Sequence, residues 1–176
     1  MQTTGVYREP TFYTRVTNSS NITILESNQN KRNIVSKDVA CVLKELLTEP
    51  VKGSNGTATY CKISGTDVAA KTGTTNDNYD RWLCGFTNYY TAVCWYGFDK
   101  NEAIEYNGKN PAGVIWADIM TKLHSNLPSS KFELTRGVTT RTVCQDTGLI
   151  ARNTCPHAYT EYFLNGTAPT EICSTH

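Results

Sequence analysis

Apolar residues recur at helical spacing in two stretches of the chain. The first stretch, residues 37–48, follows Ser36, which is a plausible N-terminal cap. The second begins at Asn110-Pro111, where proline suits the first helical position, and ends before Pro128. The spacing predicts an amphipathic helix in each. The apolar face of the first helix comprises Val39, Val42, Leu43, Leu46 and Leu47, and the predicted buried stripe of the second comprises Ile115, Trp116, Ile119, Met120 and Leu123.

Between the two helices the pattern predicts strands. A strand-like stretch runs from Thr66 to Thr72, and two more strands cover residues 81–87 and 90–98, with a link short enough for a hairpin. These last two strands are apolar on both faces, which is typical of strands covered on both sides. Trp82 and Trp95 are therefore interpreted as core residues. The order helix, strand, strand, strand, helix predicts an α+β fold, in which helices pack on an antiparallel sheet.

Shorter elements are predicted outside this unit. Residues 1–35 are polar and rich in turns, with short extended pieces at residues 12–16 and 22–25. Residues 58–63 are expected to form a short strand. Leu127-Pro128-Ser129-Ser130 reads as a linker, so the predicted division is a main unit over residues 1–127 and a small cysteine-containing extension over residues 128–176.

Composition narrows the class of protein. The chain has 176 residues, which suits one domain with a small appendage, and a net charge of +1, which gives no support for nucleic-acid binding. No apolar run is long enough to cross a bilayer, and no secretory signal is visible at the N-terminus.

The candidate chemistry lies at the end of the first predicted strand, in Lys71-Thr72-Gly73-Thr74-Thr75. A cation and hydroxyl groups at a strand end suit the binding of an anionic group that belongs to an extended peptide. The hydroxyls of Thr72 and Thr74 can donate hydrogen bonds to a carboxylate, and Lys71 adds positive charge nearby. Gly73 allows the backbone and a ligand to approach closely because it has no Cβ atom.

The sequence around this motif resembles the third active-site strand of class A, bifunctional penicillin-binding proteins. The run Ala-Ala-Lys-Thr-Gly-Thr-Thr-Asn-Asp-x-x-Asp-x-Trp-x-x-Gly-Phe-Thr occupies residues 69–87. One departure from the family is Ala70, where glycine is usual. The resemblance covers roughly residues 5–127, and its other landmarks fall in the family's order: Gly5-Val6-Tyr7, Pro10, Gly56-Thr57 and the strand Trp95-Tyr96-Gly97-Phe98-Asp99.

The resemblance implies part of a D,D-transpeptidase domain of the penicillin-binding and β-lactamase fold. Such a domain cross-links peptidoglycan stem peptides by acyl transfer through a serine ester, and β-lactams acylate the same serine. The resemblance also implies that Lys71 and Thr74 are catalytic residues, and that the N–H of Thr74 forms half of an oxyanion hole. Thr72, Gly73 and Thr75 would bind substrate. No cofactor is implied, and no metal ligand is assigned.

The sequence lacks the nucleophile of that family. No Ser-x-x-Lys occurs, and the one Ser-x-Asn, at Ser19-Ser20-Asn21, lies in a polar stretch and is interpreted as a turn. The chain is therefore expected to be the C-terminal part of the domain and to be inactive alone. It should pair with the upstream half of the domain or with a second copy. By resemblance, the parent protein would act on the outer side of the bacterial cytoplasmic membrane, held by an upstream anchor.

Two other functions stay open on the sequence: a non-catalytic binding module, and a relative of the serine β-lactamases or carboxypeptidases. Asp77 and Asp80 are interpreted as turn formers rather than as an acid–base pair. His124 is interpreted as a charge at the C-terminal end of its helix.

The extension contains Cys144, Cys155, Cys173 and His176. Three states are open for this set: a Cys144–Cys155 disulfide, free thiols, or a tetrahedral zinc site with three thiolates and one imidazole. The remaining cysteines are interpreted as small buried apolar residues: Cys41, Cys61, Cys84 and Cys94.

Overall fold

The computed structural model describes residues 5–176. Its α-helices are α1 (Lys37–Leu46), α2 (Glu49–Lys52) and α3 (Pro111–His124), and single 3-10 turns occur at Thr59–Cys61 and Asn76–Asn78. Its strands are β1 (Val6–Arg8), β2 (Arg15–Thr17), β3 (Thr23–Glu26), β4 (Lys31–Asn33), β5 (Ala69–Thr74), β6 (Asp80–Phe86), β7 (Thr91–Gly97), β8 (Val138–Cys144) and β9 (Ala158–Leu164). None of the helices within residues 5–176 is both long and apolar enough to span a bilayer.

Both predicted helices form, with the expected starts. The Ser36 hydroxyl accepts the N–H of Val39 at 3.2 Å and caps α1. The Asn110 side chain accepts the N–H of Ala112 at 3.0 Å and caps α3, with proline at the first position. The first helix ends at Leu46, two residues before the predicted end. The next helix, α2, begins at Glu49 and has Pro50 in its first turn, where the missing N–H of proline costs nothing.

The sheet next to these helices is antiparallel and has the order β5-β6-β7. Lys71 lies opposite Cys84, and Trp82 lies between Gly73 and Trp95 across the three strands. The β6–β7 turn is closed by the N–H of Thr87, which donates to the carbonyl of Tyr90 at 2.9 Å. The predicted α+β arrangement is confirmed. The prediction of a strand over residues 58–63 was wrong, since Thr59–Cys61 is a 3-10 turn.

The core lies on one face of this sheet, under α3. The indole of Trp116 is fully buried and donates to the carbonyl of Ala92 at 3.1 Å. Gly85 lets that indole reach the sheet, because a Cβ atom there would lie 2.8 Å from the Trp116 ring. The other buried members are Val51, Ala58, Cys61, Val68, Ala70, Leu83 and Met120.

The opposite face of the sheet is uncovered in the described residues. Trp82 is 39 % exposed and Trp95 44 % exposed, so their assignment to the core was wrong, and Cys84 is exposed rather than buried. The two indoles contact each other with ring centroids 6.3 Å apart. The strands carry the composition of a sheet covered on both sides, but in the described residues α3 and α2 cover one side and nothing covers the other.

The apolar faces of both helices are likewise open in part. Trp116 and Met120 of the predicted α3 stripe are buried, whereas its other members are exposed: Ile115, Ile119 and Leu123. In α1 the pattern is inverted. The exposed residues include Val39, Leu43 and Leu46, and the buried ones are Cys41, Lys44 and Glu45.

The buried side of α1 faces the chain that follows the linker. The Lys44 ammonium donates to the carbonyl of Glu133 at 2.8 Å and lies 5.0 Å from the Phe132 ring centroid. Helical periodicity identifies an apolar face but does not say which face is covered. Here the polar face of α1 is the one packed inside the chain.

The C-terminal extension contains a hairpin, β8–β9, with Cys144 opposite Ala158. Its linker is fastened to the main unit by Asp67. That carboxylate accepts the N–H of Phe132 at 3.0 Å and pairs with Lys131 and Lys52 at 3.3 and 3.4 Å. Burial opposes ionisation of Asp67, but these donors together lower its pKa.

His124 lies in the last turn of α3, as expected, and its side chain is buried. Its Nε2 lies 2.9 Å from the Thr87 hydroxyl and its Nδ1 lies 2.6 Å from the Met120 carbonyl. The rings of Tyr89 and Tyr90 contact the imidazole in T-shaped arrangements. His124 therefore ties the end of α3 to the β6–β7 turn.

Candidate active-site strand

The candidate motif lies on an edge strand. Among residues 5–176, β5 pairs only with β6, so its other edge faces outward. The N–H of Ala70 points to that edge and donates to the carbonyl of Leu47 at 2.8 Å. Because peptide groups alternate in direction along an antiparallel strand, those of Thr72 and Thr74 also point to the open edge. The edge can therefore pair with an extended ligand.

Lys71 lies on the uncovered face of the sheet, next to this edge. Its side chain is exposed, and its ammonium donates to the carbonyl of Thr72 at 3.0 Å. The charge thus lies over the beginning of the open edge. It remains accessible to an anion, because an ammonium group has three donors and this bond uses one.

The hydroxyl of Thr72 lies 3.2 Å from that of Thr57, in the loop after α2. Beside them an open groove of about 640 Å³ separates the α1–α2 region from the edge strand. Its lining includes Leu46, Leu47, Thr57 and Lys71. The sequence reasoning placed Gly56-Thr57 in the family's order but assigned it no contact with the motif.

Thr74 is supported by a residue that the sequence reasoning missed. Arg81 is 6 % exposed, and its Nη1 donates to the Thr74 hydroxyl at 3.1 Å. Its Nη2 donates to the Asn78 side chain at 2.9 Å and to the Ile104 carbonyl at 3.3 Å. Because the Thr74 oxygen accepts from Arg81, the hydroxyl proton is directed elsewhere and can serve a ligand. The signal that could have identified it was a charged residue at the start of the otherwise apolar strand predicted over residues 81–87.

The hydroxyl of Thr75 is used by the turn that follows. It donates to the Asp80 carboxylate at 3.0 Å and accepts the Asp80 N–H at 2.9 Å. The other carboxylate oxygen of Asp80 accepts the Trp95 indole N–H at 2.8 Å. Asp77 has a φ of 60°, a left-handed conformation that aspartate tolerates. These contacts match the interpretation of Asp77 and Asp80 as turn formers.

The five residues of the motif therefore lie along one strand end, but they divide between two faces and the edge. Lys71 and Gly73 share the uncovered face, where a Cβ atom on Gly73 would lie 3.1 Å from the Cβ atom of Trp82. The side chains of Thr72 and Thr74 lie on the other face. The charge, the two outward peptide groups and the hydroxyls surround one stretch of open edge.

A second group of reactive side chains lies in the extension. Donor atoms of Cys144, Cys155 and His176 all lie within 4.8 Å of one another. Hydrogen bonds, first from the Thr147 hydroxyl and then from backbone N–H groups, lower the pKa of the neighbouring Cys173 thiol to about 6. This group contains none of the motif residues.

Comparison with known proteins gives two family matches. The sequence model of the family described as "Penicillin binding protein transpeptidase domain" matches residues 1–121, and that of "Penicillin-binding protein 1A, C-terminal domain" matches residues 135–176. Penicillin-binding protein 1A of Clostridium tetani is 34% identical over 179 residues, which cover 98% of this chain and 23% of that protein. Its Clostridium botulinum counterpart is 32% identical over 178 residues, covering 98% and 21%.

Solved structures show a similar fold. The crystal structure of penicillin-binding protein 1A from Haemophilus influenzae aligns with a TM-score of 0.77 at 20% identity, covering 97% of this chain and 31% of that one. The D,D-transpeptidase domain of a peptidoglycan glycosyltransferase from Eggerthella lenta aligns with a TM-score of 0.53 at 25% identity, covering 72% and 30%. The chain spans less than a quarter of the length of the clostridial proteins it matches.

Proposed function

Because the chain belongs to the penicillin-binding protein transpeptidase family, we propose that it is the C-terminal part of a peptidoglycan D,D-transpeptidase. The reaction is acyl transfer. A serine oxygen attacks the carbonyl carbon of the penultimate D-alanine of a stem peptide, and the terminal D-alanine leaves with a proton. An amine of a neighbouring strand then attacks the ester, and the serine recovers its proton. A β-lactam acylates the same serine.

The observation that carries this proposal is the open edge of β5 beside Lys71. The peptide groups of Thr72 and Thr74 point outward there, and an extended acyl donor can pair with them as an added strand. The donor ends in a carboxylate. Lys71 and the hydroxyls of Thr72 and Thr74 surround the edge with the charge and donors that a carboxylate requires.

Each motif residue has a separate part in the proposal. Lys71 and Thr74 are the catalytic residues, with the Thr74 N–H donating to the developing oxyanion. Removing one such donor in other enzymes lowers the rate on the order of 100- to 1,000-fold. Thr72 and Gly73 contact the substrate directly. Thr75 binds the substrate at the end of the open edge of β5, where its hydrogen bonds to Asp80 fix the turn that follows.

The serine must come from polypeptide outside this chain, since the sequence has no Ser-x-x-Lys. We propose that the upstream half of the same domain covers the open faces of the sheet and of α1. Two observations support it: the chain covers 23% of the Clostridium tetani relative, and apolar side chains are open on the sheet and on α1. Neighbouring exposed apolar residues mark interaction surfaces. Where the upstream half of the domain is absent, a second copy of the chain would cover these apolar faces.

The proposal divides the chain into residues 1–127, which complete the transpeptidase domain, and residues 128–176, a small extension. It places the parent protein on the outer side of the bacterial cytoplasmic membrane, held by a segment outside this chain. No cofactor takes part in the acyl transfer.

The test is acylation by a fluorescent penicillin of a longer polypeptide that joins this chain to its native upstream sequence. We expect a covalent adduct on a serine outside residues 1–176, and no adduct on the 176-residue chain alone. Labelling within this chain, or an intact parent that forms no serine-bound adduct, would contradict the proposal.

A further inference from the structure

Three thiols and an imidazole converge in the extension, away from the candidate active-site strand. Cys144 and Cys173 are fully buried and Cys155 is 8 % exposed. Donor atoms of Cys144, Cys155 and His176 lie within 4.8 Å of one another, and Cys173 belongs to the same buried cluster as the other two cysteines. Together they supply four donors of the types that zinc prefers.

The backbone brings these four residues together from three separate places. Cys144 ends β8, and its N–H donates to the Leu149 carbonyl at 2.8 Å. Cys155 lies just before β9, where the N–H of Gln145 donates to the His157 carbonyl at 2.9 Å. Cys173 is held by its N–H, which donates to the Ile150 carbonyl at 2.8 Å. The convergence therefore rests on main-chain bonds that do not depend on the thiols.

The composition of this cluster indicates that the extension requires stabilisation beyond its apolar core. Its buried core consists of the three cysteines, with only Leu149 and Ala151 packed against them. Elsewhere in residues 128–176 the buried apolar side chains are only Val138 and Val143, and a unit of about 50 residues with so small a core needs disulfides, a metal or a partner for stability. A disulfide would use two of the three thiols and leave the third, with the imidazole, unexplained.

The histidine is held in the manner of a metal ligand. Its Nε2 lies 2.8 Å from the Asp146 carboxylate, which also lies 2.7 Å from Nδ1 of His157. When Nε2 carries the proton shared with Asp146, Nδ1 keeps the free lone pair that a metal requires. A carboxylate behind a histidine in this way fixes the tautomer and the ring orientation at zinc sites.

From this arrangement we propose that the extension binds one zinc ion through the thiolates of Cys144, Cys155 and Cys173 and the imidazole of His176. This decides for one of the three states that the sequence left open, and adds a metal where none had been assigned. The site is structural, because four protein ligands fill a tetrahedral ion and leave no position for water. Its function is to join the end of β8, the start of β9 and the C-terminal segment.

The experiment uses the 176-residue chain, purified under reducing conditions without chelators, and does not depend on acylation. Elemental analysis should find about one zinc per chain, and cobalt in its place should give the thiolate charge-transfer and strong d–d absorption of a tetrahedral site. Cys173→Ser and Cys144→Ser should lose most of the bound metal. The matched control is Cys84→Ser, which alters an exposed cysteine of the sheet and should leave the metal content unchanged.

A further variant covers the case in which the thiol variants fail to fold. His176 lies outside the strands, so His176→Ala should leave the hairpin intact, keep the thiolate-to-cobalt absorption and weaken binding. The proposal is overturned if the reduced chain binds no zinc, or if trapped thiols reveal a persistent Cys144–Cys155 disulfide. It is also overturned if His157→Ala removes the metal while Cys173→Ser retains it.

Discussion

The N–H of Ala70 donates to the carbonyl of Leu47 at 2.8 Å, and this bond closes the outer edge of β5 one residue before Lys71. The helix pair α1–α2 thus occupies the start of the edge. Beyond it, the next outward peptide groups belong to Thr72 and Thr74. The position of that bond sets where an added peptide strand can begin, and it places the ammonium of Lys71 at that point.

Lys71 should matter to acylation far more than its exposed position suggests. In the joined parent polypeptide, Lys71→Ala should lower the second-order rate of acylation by a fluorescent penicillin on the order of 100-fold, because a charge-assisted contact with the ligand carboxylate is lost. The control is Lys62→Ala, an exposed lysine outside the motif. Equal rates for the two variants would remove Lys71 from the proposed site.

Arg81 should act on acylation through Thr74. Arg81→Met leaves the Thr74 hydroxyl, the Asn78 amide oxygen and the Ile104 carbonyl without their buried donor. We expect a loss of about 1–3 kcal/mol in the free energy of unfolding and slower acylation.

A double-mutant cycle separates these two effects of Arg81. In a Thr74→Val background, Arg81→Met should still lower stability but should slow acylation little further, because its target hydroxyl is already gone. Fully additive effects on the acylation rate would contradict a positioning role through Thr74.

Sequence periodicity predicted α1, the three strands and α3, because local spacing and caps such as Ser36 determine those elements. It did not predict which faces would be covered, since that depends on chain brought from elsewhere. The burial of Lys44 in α1 could not be predicted from local spacing, because its hydrogen-bond partner Glu133 is 89 residues away in sequence. The contact between Arg81 and Thr74 was missed for a similar reason, as it depends on the register of β5 and β6.

The uncovered sheet face should make the isolated chain associate. Val93 lies on β7 and is 56 % exposed, next to the exposed indoles. Val93→Lys should weaken self-association about tenfold by light scattering or sedimentation, as expected when one buried aliphatic contact is lost. Phe12→Gln alters an exposed residue outside this sheet and serves as the control. A wild-type chain that stays monomeric at high concentration would contradict the proposed use of this face.

Asp67 should make the docking of the linker dependent on pH. Its pKa is lowered in the folded chain, so its contribution is present above its ordinary pKa of ~4 and is lost as the pH falls below that value. Asp67→Asn should cost about 1 kcal/mol near neutral pH, since its lysine partners are exposed, and should flatten the stability profile in acid. Hydrogen exchange of residues 130–134 measures the effect locally. An unchanged acid profile in the variant would exclude Asp67 as the titrating group.

Asp146 should tune the proposed zinc site without being a ligand. Because its carboxylate accepts from His176, Asp146→Ala should leave three thiolates in place but free the imidazole to rotate, and zinc affinity should fall about 10- to 100-fold. His157→Ala removes the other partner of the same carboxylate and should change affinity much less. Competition with a chromophoric chelator measures both. If His157→Ala weakened binding as much as Asp146→Ala, the ion would lie among Asp146, His157 and His176 instead of the thiols. The cobalt spectrum distinguishes the two positions independently, because thiolate charge-transfer absorption appears only when sulfur is bound.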